Sequence, residues 1–143
     1  MERIEKINDE IEELRKIKIT INEVKRNYQN IPSNLEIKKD VRHMISILDE
    51  IYIELFNHSE KLQLFRMYGD FYLPTISKII NRYNNFKKKN IKTEEVQKLL
   101  ENIENSFKKL NVHFQAKYNS FFENEIIDLD ADIKVLIKEL NNK

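Results

Sequence analysis

Glycine occurs once in the 143 residues, at Gly69, and proline twice, at Pro32 and Pro74. Strand-rich and βαβ chains need turn residues between their elements, so this scarcity argues against both. A single glycine also leaves little with which to bring backbone close to a phosphate or an oxyanion. Cysteine is absent, which excludes disulfides, thiolate nucleophiles and cysteine-held zinc. Neither sign of charge is in excess: 25 Lys plus Arg against 24 Asp plus Glu give a formal net charge of +1. That balance offers no global attraction to nucleic acid or to an anionic membrane. No stretch approaches the ~18 consecutive apolar residues of a membrane span. The opening Met1 to Lys6 has no apolar run of signal-peptide length. The expectation is a soluble chain in the cytoplasm, with no membrane span and no nucleic-acid partner.

The chain does have charge and apolar side chains in quantity, 34% and 41% of residues, with eight Phe and six Tyr. This combination reads as amphipathic helices around a core rather than disorder. Ile4, Ile7, Ile11, Leu14, Ile17, Ile21, Val24 and Tyr28 recur at helical spacing and predict one helix from residue 2 to about 29. At 1.5 Å per residue it is roughly 40 Å long, so it is expected to lie along a partner helix for much of its length. Pro32 ends it. Ser33 and Glu36 form the pattern of a capping box for a second helix, whose stripe is Ile37, Val41, Met44, Leu48, Ile51 and Leu55. Gly69-Asp70 is the expected internal break, with Gly69 closing one helix in the left-handed conformation and Asp70 capping the next. Tyr72, Ile76, Ile79, Tyr83 and Phe86 mark a third stripe, and Pro74 sets its angle to the second. Thr93 caps a fourth helix carrying Val96, Leu100, Ile103, Phe107, Leu110, Phe114 and Phe121. A short fifth starts at Asp128 or Asp130 and turns Ile133, Leu136 and Leu140 inward.

The expected fold is all-α: an elongated antiparallel bundle of four main helices plus a short C-terminal one, in a single domain over residues 1–143. Residues 1–64 form its N-terminal helical pair.

Candidate chemistry is sparse. Asp128, Asp130 and Asp132 stand at positions one, three and five of a calcium-loop pattern, with Glu139 at position twelve. Ile133 occupies the position where that loop wants glycine, and the same residues serve as caps and dipole partners of a helix start. The capping reading is preferred, so no metal, cofactor or catalytic residue is assigned. His43, His58 and His113 belong to no ligand or catalytic pair in sequence. Lys87, Lys88, Lys89 and Lys92 form a basic patch read as a solvated helix end, with lipid or nucleic-acid contact as the weaker alternative. Phe71-Tyr72 and Phe121-Phe122 each splay two rings, for a broad core contact or for a partner-binding surface.

The segment Phe65 to Thr75, with Tyr72-Leu73-Pro74-Thr75 at its centre, resembles the signature of the XpaC-like family, also called 5-bromo-4-chloroindolyl phosphate hydrolysis proteins. Tyr83 at the following helix end fits the same pattern. So does the stretch Leu129 to Leu136, with its Asp132-Ile133 and Val135-Leu136 pairs. The strong part of the resemblance covers residues 65 to 140. The family name implies hydrolysis of a phosphate ester, although no catalytic residues carry over to this chain. The resemblance further implies association with TelA-like toxic-anion (tellurite) resistance proteins. The functional expectation is a non-enzymatic helical scaffold or adaptor that binds a helical partner, TelA-like or a second copy. A phosphate-ester hydrolase, or a subunit of one, is the alternative.

Overall fold

The computed structural model describes all 143 residues, and they form helices without a strand. The helices are α1 (Glu2–Gln29), α2 (Glu36–Asn57), α3 (Leu62–Met67), α4 (Leu73–Lys89), α5 (Glu94–Ser120) and α6 (Glu123–Asn141). A 3₁₀ turn, Ser59–Lys61, leads into α3, and a π-helical turn, Tyr68–Tyr72, joins α3 to α4.

Four helices pack as a ring in the order α1, α2, α5, α4. Consecutive helices run antiparallel, as the short connections lead one to expect. Two of the four lateral contacts are nevertheless parallel. Glu13 meets Arg66 while Asn27 meets Ser77, so α1 and the α3–α4 rod rise together. Asp40 meets Lys108 while Lys61 meets Glu125, so α2 and α5 descend together. Helices α2 and α4 therefore face each other across the ring, and the chain crosses its end through residues 58–61.

The core is a cluster of 21 buried apolar residues. In α2 the predicted stripe is buried in full, with Ile47 added. In α5 the buried Leu100, Phe107 and Phe114 keep a seven-residue step, which Phe121 continues just past the helix end. In α4 the buried stripe is Leu73, Ile76, Ser77, Ile80, Tyr83 and Asn84, displaced by about one residue from the expected one at Tyr72 and Ile79.

Several local expectations are corrected. Helix α2 begins at Glu36 behind an extended Leu35, and no capping box forms. Pro32 instead starts a turn, closed by Leu35 N–H donating to the Pro32 carbonyl, with Ser33 and Asn34 as its corners. Gly69-Asp70 is not a break. Gly69 does not have a positive φ, and the helix passes through it in the π turn. Leu73 N–H donates to the Tyr68 carbonyl, five residues back. The shifted ladder accommodates Pro74, which has no amide to donate. Glycine serves a close approach at this point: a Cβ on Gly69 would lie 3.1 Å from Ile17 Cγ1 of α1. The true corner lies at His58 (φ −138°, ψ 74°), so Pro74 does not set the angle to α2. Thr93 does cap α5, accepting from the Val96 amide at 3.3 Å.

The two chain ends leave the ring. Ile4, Ile7 and Ile11 are exposed, so the first half of α1 lacks the partner expected for it. Helix α6 begins at Glu123, ahead of the predicted Asp128 or Asp130, and every residue from Glu123 onward is exposed. Ile133, Leu136 and Leu140 do not turn inward. Both projections leave the same end of the ring, because Glu13 and Glu125 pair with Arg66 and Lys61 at its crossover.

Candidate functional site

The π turn places an aromatic cluster where α3, α4 and α5 meet. Phe65 stacks on Tyr68 at 5.3 Å, and Tyr68 meets Tyr72 edge-on at 5.1 Å and Phe114 at 5.7 Å. Tyr68 and Tyr72, four residues apart, share a side as in any helical turn, and the residue added by the π turn brings Leu73 into line with the buried Phe65. Tyr68, Tyr72, Leu110, His113 and Phe114 line a depression of about 230 Å³. The Lys117 ammonium lies 5.4 Å from the Tyr68 ring centroid, a cation–π contact at the rim. His113 and Lys117 are one turn apart on α5. The depression thus combines aromatic walls, an imidazole and a cation.

The signature residues divide by environment. Leu73 and Tyr83 are buried, Tyr72 and Pro74 are exposed, and Thr75 is half-buried with its hydroxyl donating to the Phe71 carbonyl at 2.8 Å. The Tyr83 hydroxyl donates to Glu104 at 2.8 Å and ties α4 to α5. Burial, then the bond to Glu104 and its charge, push the Tyr83 phenol far above its ordinary value. Asp132, Ile133 and Leu136 sit on exposed α6. Tyr72 and Leu73 do not pack against the last helix, every residue of which is exposed.

Asp128, Asp130 and Asp132 lie inside a continuous helix, not a loop. Steps of two residues rotate by about 200°, so Asp130 points away from the other two. Asp130 pairs with Lys134 at 2.9 Å. No group of three or more His, Asp or Glu side chains is arranged to hold a metal ion. All three histidines are exposed: His43 on α2, His58 between Glu54 (3.7 Å) and Glu60 (3.6 Å), and His113 at the depression. The run Lys87 to Lys89 ends α4 at a left-handed Asn90, where cations face the free carbonyls.

Two polar features escaped sequence reasoning. Lys61 is 9% exposed and its ammonium binds Glu54 at 2.7 Å, Glu125 at 2.9 Å and the face of the Phe122 ring. Burial works against its charge, but the two carboxylates outweigh it and raise its pKa. This lysine fastens the start of α6 to the crossover. The second feature is an amide seam between α1 and α4. Asn27 donates to the Ser77 carbonyl at 3.0 Å and Asn84 donates to the Asn27 carbonyl at 2.9 Å. Asn84 stands one helical turn after Ile80, in a stripe position, and that placement was the available signal.

A model of the 5-bromo-4-chloroindolyl phosphate hydrolysis protein family matches residues 5–136. The chain belongs to this family. No curated protein and no solved structure matches it. The family match spans the bundle and most of α6, and it includes the N-terminal residues that the signature segment alone did not reach. No helix of this family member is long and apolar enough to cross a membrane.

Proposed function

We propose that this protein is a helical scaffold or adaptor that binds another helical protein through its projecting ends. The observation that carries this reading is the exposed apolar stripe of α6, where Ile126, Leu129, Ile133, Leu136 and Leu140 are 47–64% exposed and aligned on one face. Five large aliphatic side chains in register are costly to leave in water, which favours a protein surface over them. A TelA-like toxic-anion resistance protein is the partner to test first, as the resemblance implies. Photo-crosslinking residues at Ile133, and at Lys88 as a control, test the reading with purified TelA-like protein. Crosslinking from Ile133 alone supports it. Equal yields from both positions, or none from either, count against it.

A second reading takes its support from the family description and from the depression at Tyr68, Tyr72 and His113. Aromatic walls suit a planar aryl group, and Lys117 with His113 suits an attached phosphate. Purified protein incubated with 5-bromo-4-chloroindolyl phosphate, with and without divalent cations, tests it. Turnover that His113→Ala abolishes favours hydrolysis, and no turnover in any condition dismisses it.

A further inference from the structure

The two projecting segments have matching heptad patterns. In α6, Ile126, Leu129, Ile133, Leu136 and Leu140 step by three and four, which makes Ile126, Ile133 and Leu140 a positions and Leu129 and Leu136 d positions. Its flanking e and g positions are Glu125, Asp130, Asp132, Ile137 and Glu139, with no cation among them. In the first half of α1, Ile4 and Ile11 are a, Ile7 and Leu14 are d, and the flanks are Arg3, Asn8, Glu10 and Arg15. Ile4, Ile7 and Ile11 are 49–64% exposed.

The flanks decide what fits. Pairing α6 with another α6 sets carboxylate against carboxylate in either direction: Glu125 with Asp130 when parallel, and like flank with like flank when antiparallel. Pairing α6 with a parallel α1 segment, Ile126 level with Ile4, sets Asp130 against Arg3 and Asp132 against Arg15. Glu125 then meets Asn8 and Ile137 meets Glu10, so no like charges face each other. The direction also suits two copies. Both segments leave the same end of the ring, α1 running towards its bundle and α6 away from it. When two copies meet at those ends about a two-fold axis, α1 of one runs parallel to α6 of the other.

We propose that the occupant of the α6 seam is the N-terminal half of α1 from a second copy, and reciprocally, in an isologous dimer joined at the crossover ends. This rests on the interaction reading above and names its partner. Each α1–α6 pair stacks Ile4 on Ile126, Ile7 on Leu129 and Ile11 on Ile133, and Leu136 meets the edge of the bundle core at the half-buried Leu14, so the two-fold dimer covers both exposed stripes at once.

The absence of cysteine makes the test clean, since any engineered thiol pair is the only one present. The full chain is oxidised with Ile7→Cys and Leu129→Cys together, two facing d positions in this register. A covalent dimer from the double variant, absent from either single variant, is the expected result. A dimer from Ile7→Cys alone would show α1 pairing with itself, and an oxidised monomer from the double variant would show α6 folding onto its own α1. Either overturns the proposal, as does a double variant that fails to oxidise. Light scattering of the unmodified chain gives the second readout. Arg15→Asp or Asp132→Arg alone weakens the dimer roughly three- to tenfold, because two symmetric exposed pairs are lost, and the combined reversal restores it. Reversals with no effect, or a monomer at every concentration, also overturn it. A monomer that still crosslinks to a TelA-like protein from Ile133 would leave the adaptor reading standing and remove only the self-association.

Discussion

Helices α2 and α6 have the same apolar spacing and opposite fates. Ile37, Val41, Met44, Leu48, Ile51 and Leu55 step by four and three and are all buried, whereas Ile126, Leu129, Ile133, Leu136 and Leu140 step by three and four and are all exposed. The neighbours make the difference. Helix α2 is flanked by α1 and α5 along its length, while α6 is held only near its start, where Lys61 binds Glu125. Periodicity identifies the face a helix offers and says nothing of whether the same chain supplies the partner. In this protein the offered face of α2 builds the fold, and that of α6 stays exposed.

The sharpest way to break this contrast is to truncate one side chain in each region. Phe107→Ala should cost about 3–5 kcal/mol, the usual range for emptying a buried aromatic site. Ile133→Ala should change the stability of the dilute chain by less than about 0.5 kcal/mol, as exposed substitutions do. Urea denaturation of both variants at low protein concentration measures the pair. Comparable losses would place α6 inside the cooperative unit and dissolve the distinction.

Lys61 is the hinge between the two regions, and its removal comes next in size. Lys61→Met strands Glu54, whose side chain is 15% exposed, and should cost about 2 kcal/mol, less than a fully buried pair because Glu125 is open to water. Hydrogen exchange should rise most at residues 123–130, where α6 loses its fastening. Exchange that rises evenly through α2 and α5 would instead make Lys61 a core residue of the bundle.

Among the groups whose pKa folding raises, the buried Tyr83 and Lys61 should carry the response of the bundle to alkali. The Tyr83 phenol lies well above its ordinary value of 10.0 in the folded chain and at that value when unfolded, so folding holds its proton. The resulting stabilisation is complete below pH 10 and declines as pH rises towards the folded value. Lys61, raised from 10.5, acts in the same direction and a little higher in pH. Tyr83→Phe should cost about 1 kcal/mol at neutral pH through the lost bond to Glu104. It should also flatten the fall in melting temperature above pH 10, and an unchanged slope would assign that fall to other groups.

Much of this fold is legible in the sequence because helices announce themselves locally. The extent of α1, the start of α5 at its Thr93 cap and the stripe of α2 all follow from spacing and side-chain chemistry within a few residues. What escapes is set by contacts distant in sequence. Lys61 reads as one more charged residue until α6 brings Glu125 to it, and Asn84 reads as a polar gap until α1 supplies the Asn27 carbonyl. The exposure of Ile133 and Leu136 was illegible for the same reason. Of the candidate site, the signature at Tyr72 was visible, but its depression needs Leu110, His113 and Phe114 from the antiparallel α5.

Gly69 offers the finest test, because two small effects oppose each other there. A glycine inside a helix gives up about 1 kcal/mol relative to alanine. Gly69→Ala would recover that, but its Cβ would stand 3.1 Å from Ile17 Cγ1, tighter than ordinary contact. Ile17 is 5% exposed and has little room to yield. The two effects should nearly cancel, leaving a change within about 0.5 kcal/mol. In an Ile17→Ala background the clash is gone, so adding Gly69→Ala should then stabilise by about 0.5–1 kcal/mol. A double-mutant cycle by thermal unfolding reads the difference directly. Equal effects in both backgrounds would mean that the close approach of α1 does not explain the glycine, and that the helix needs it for the geometry of the π turn itself.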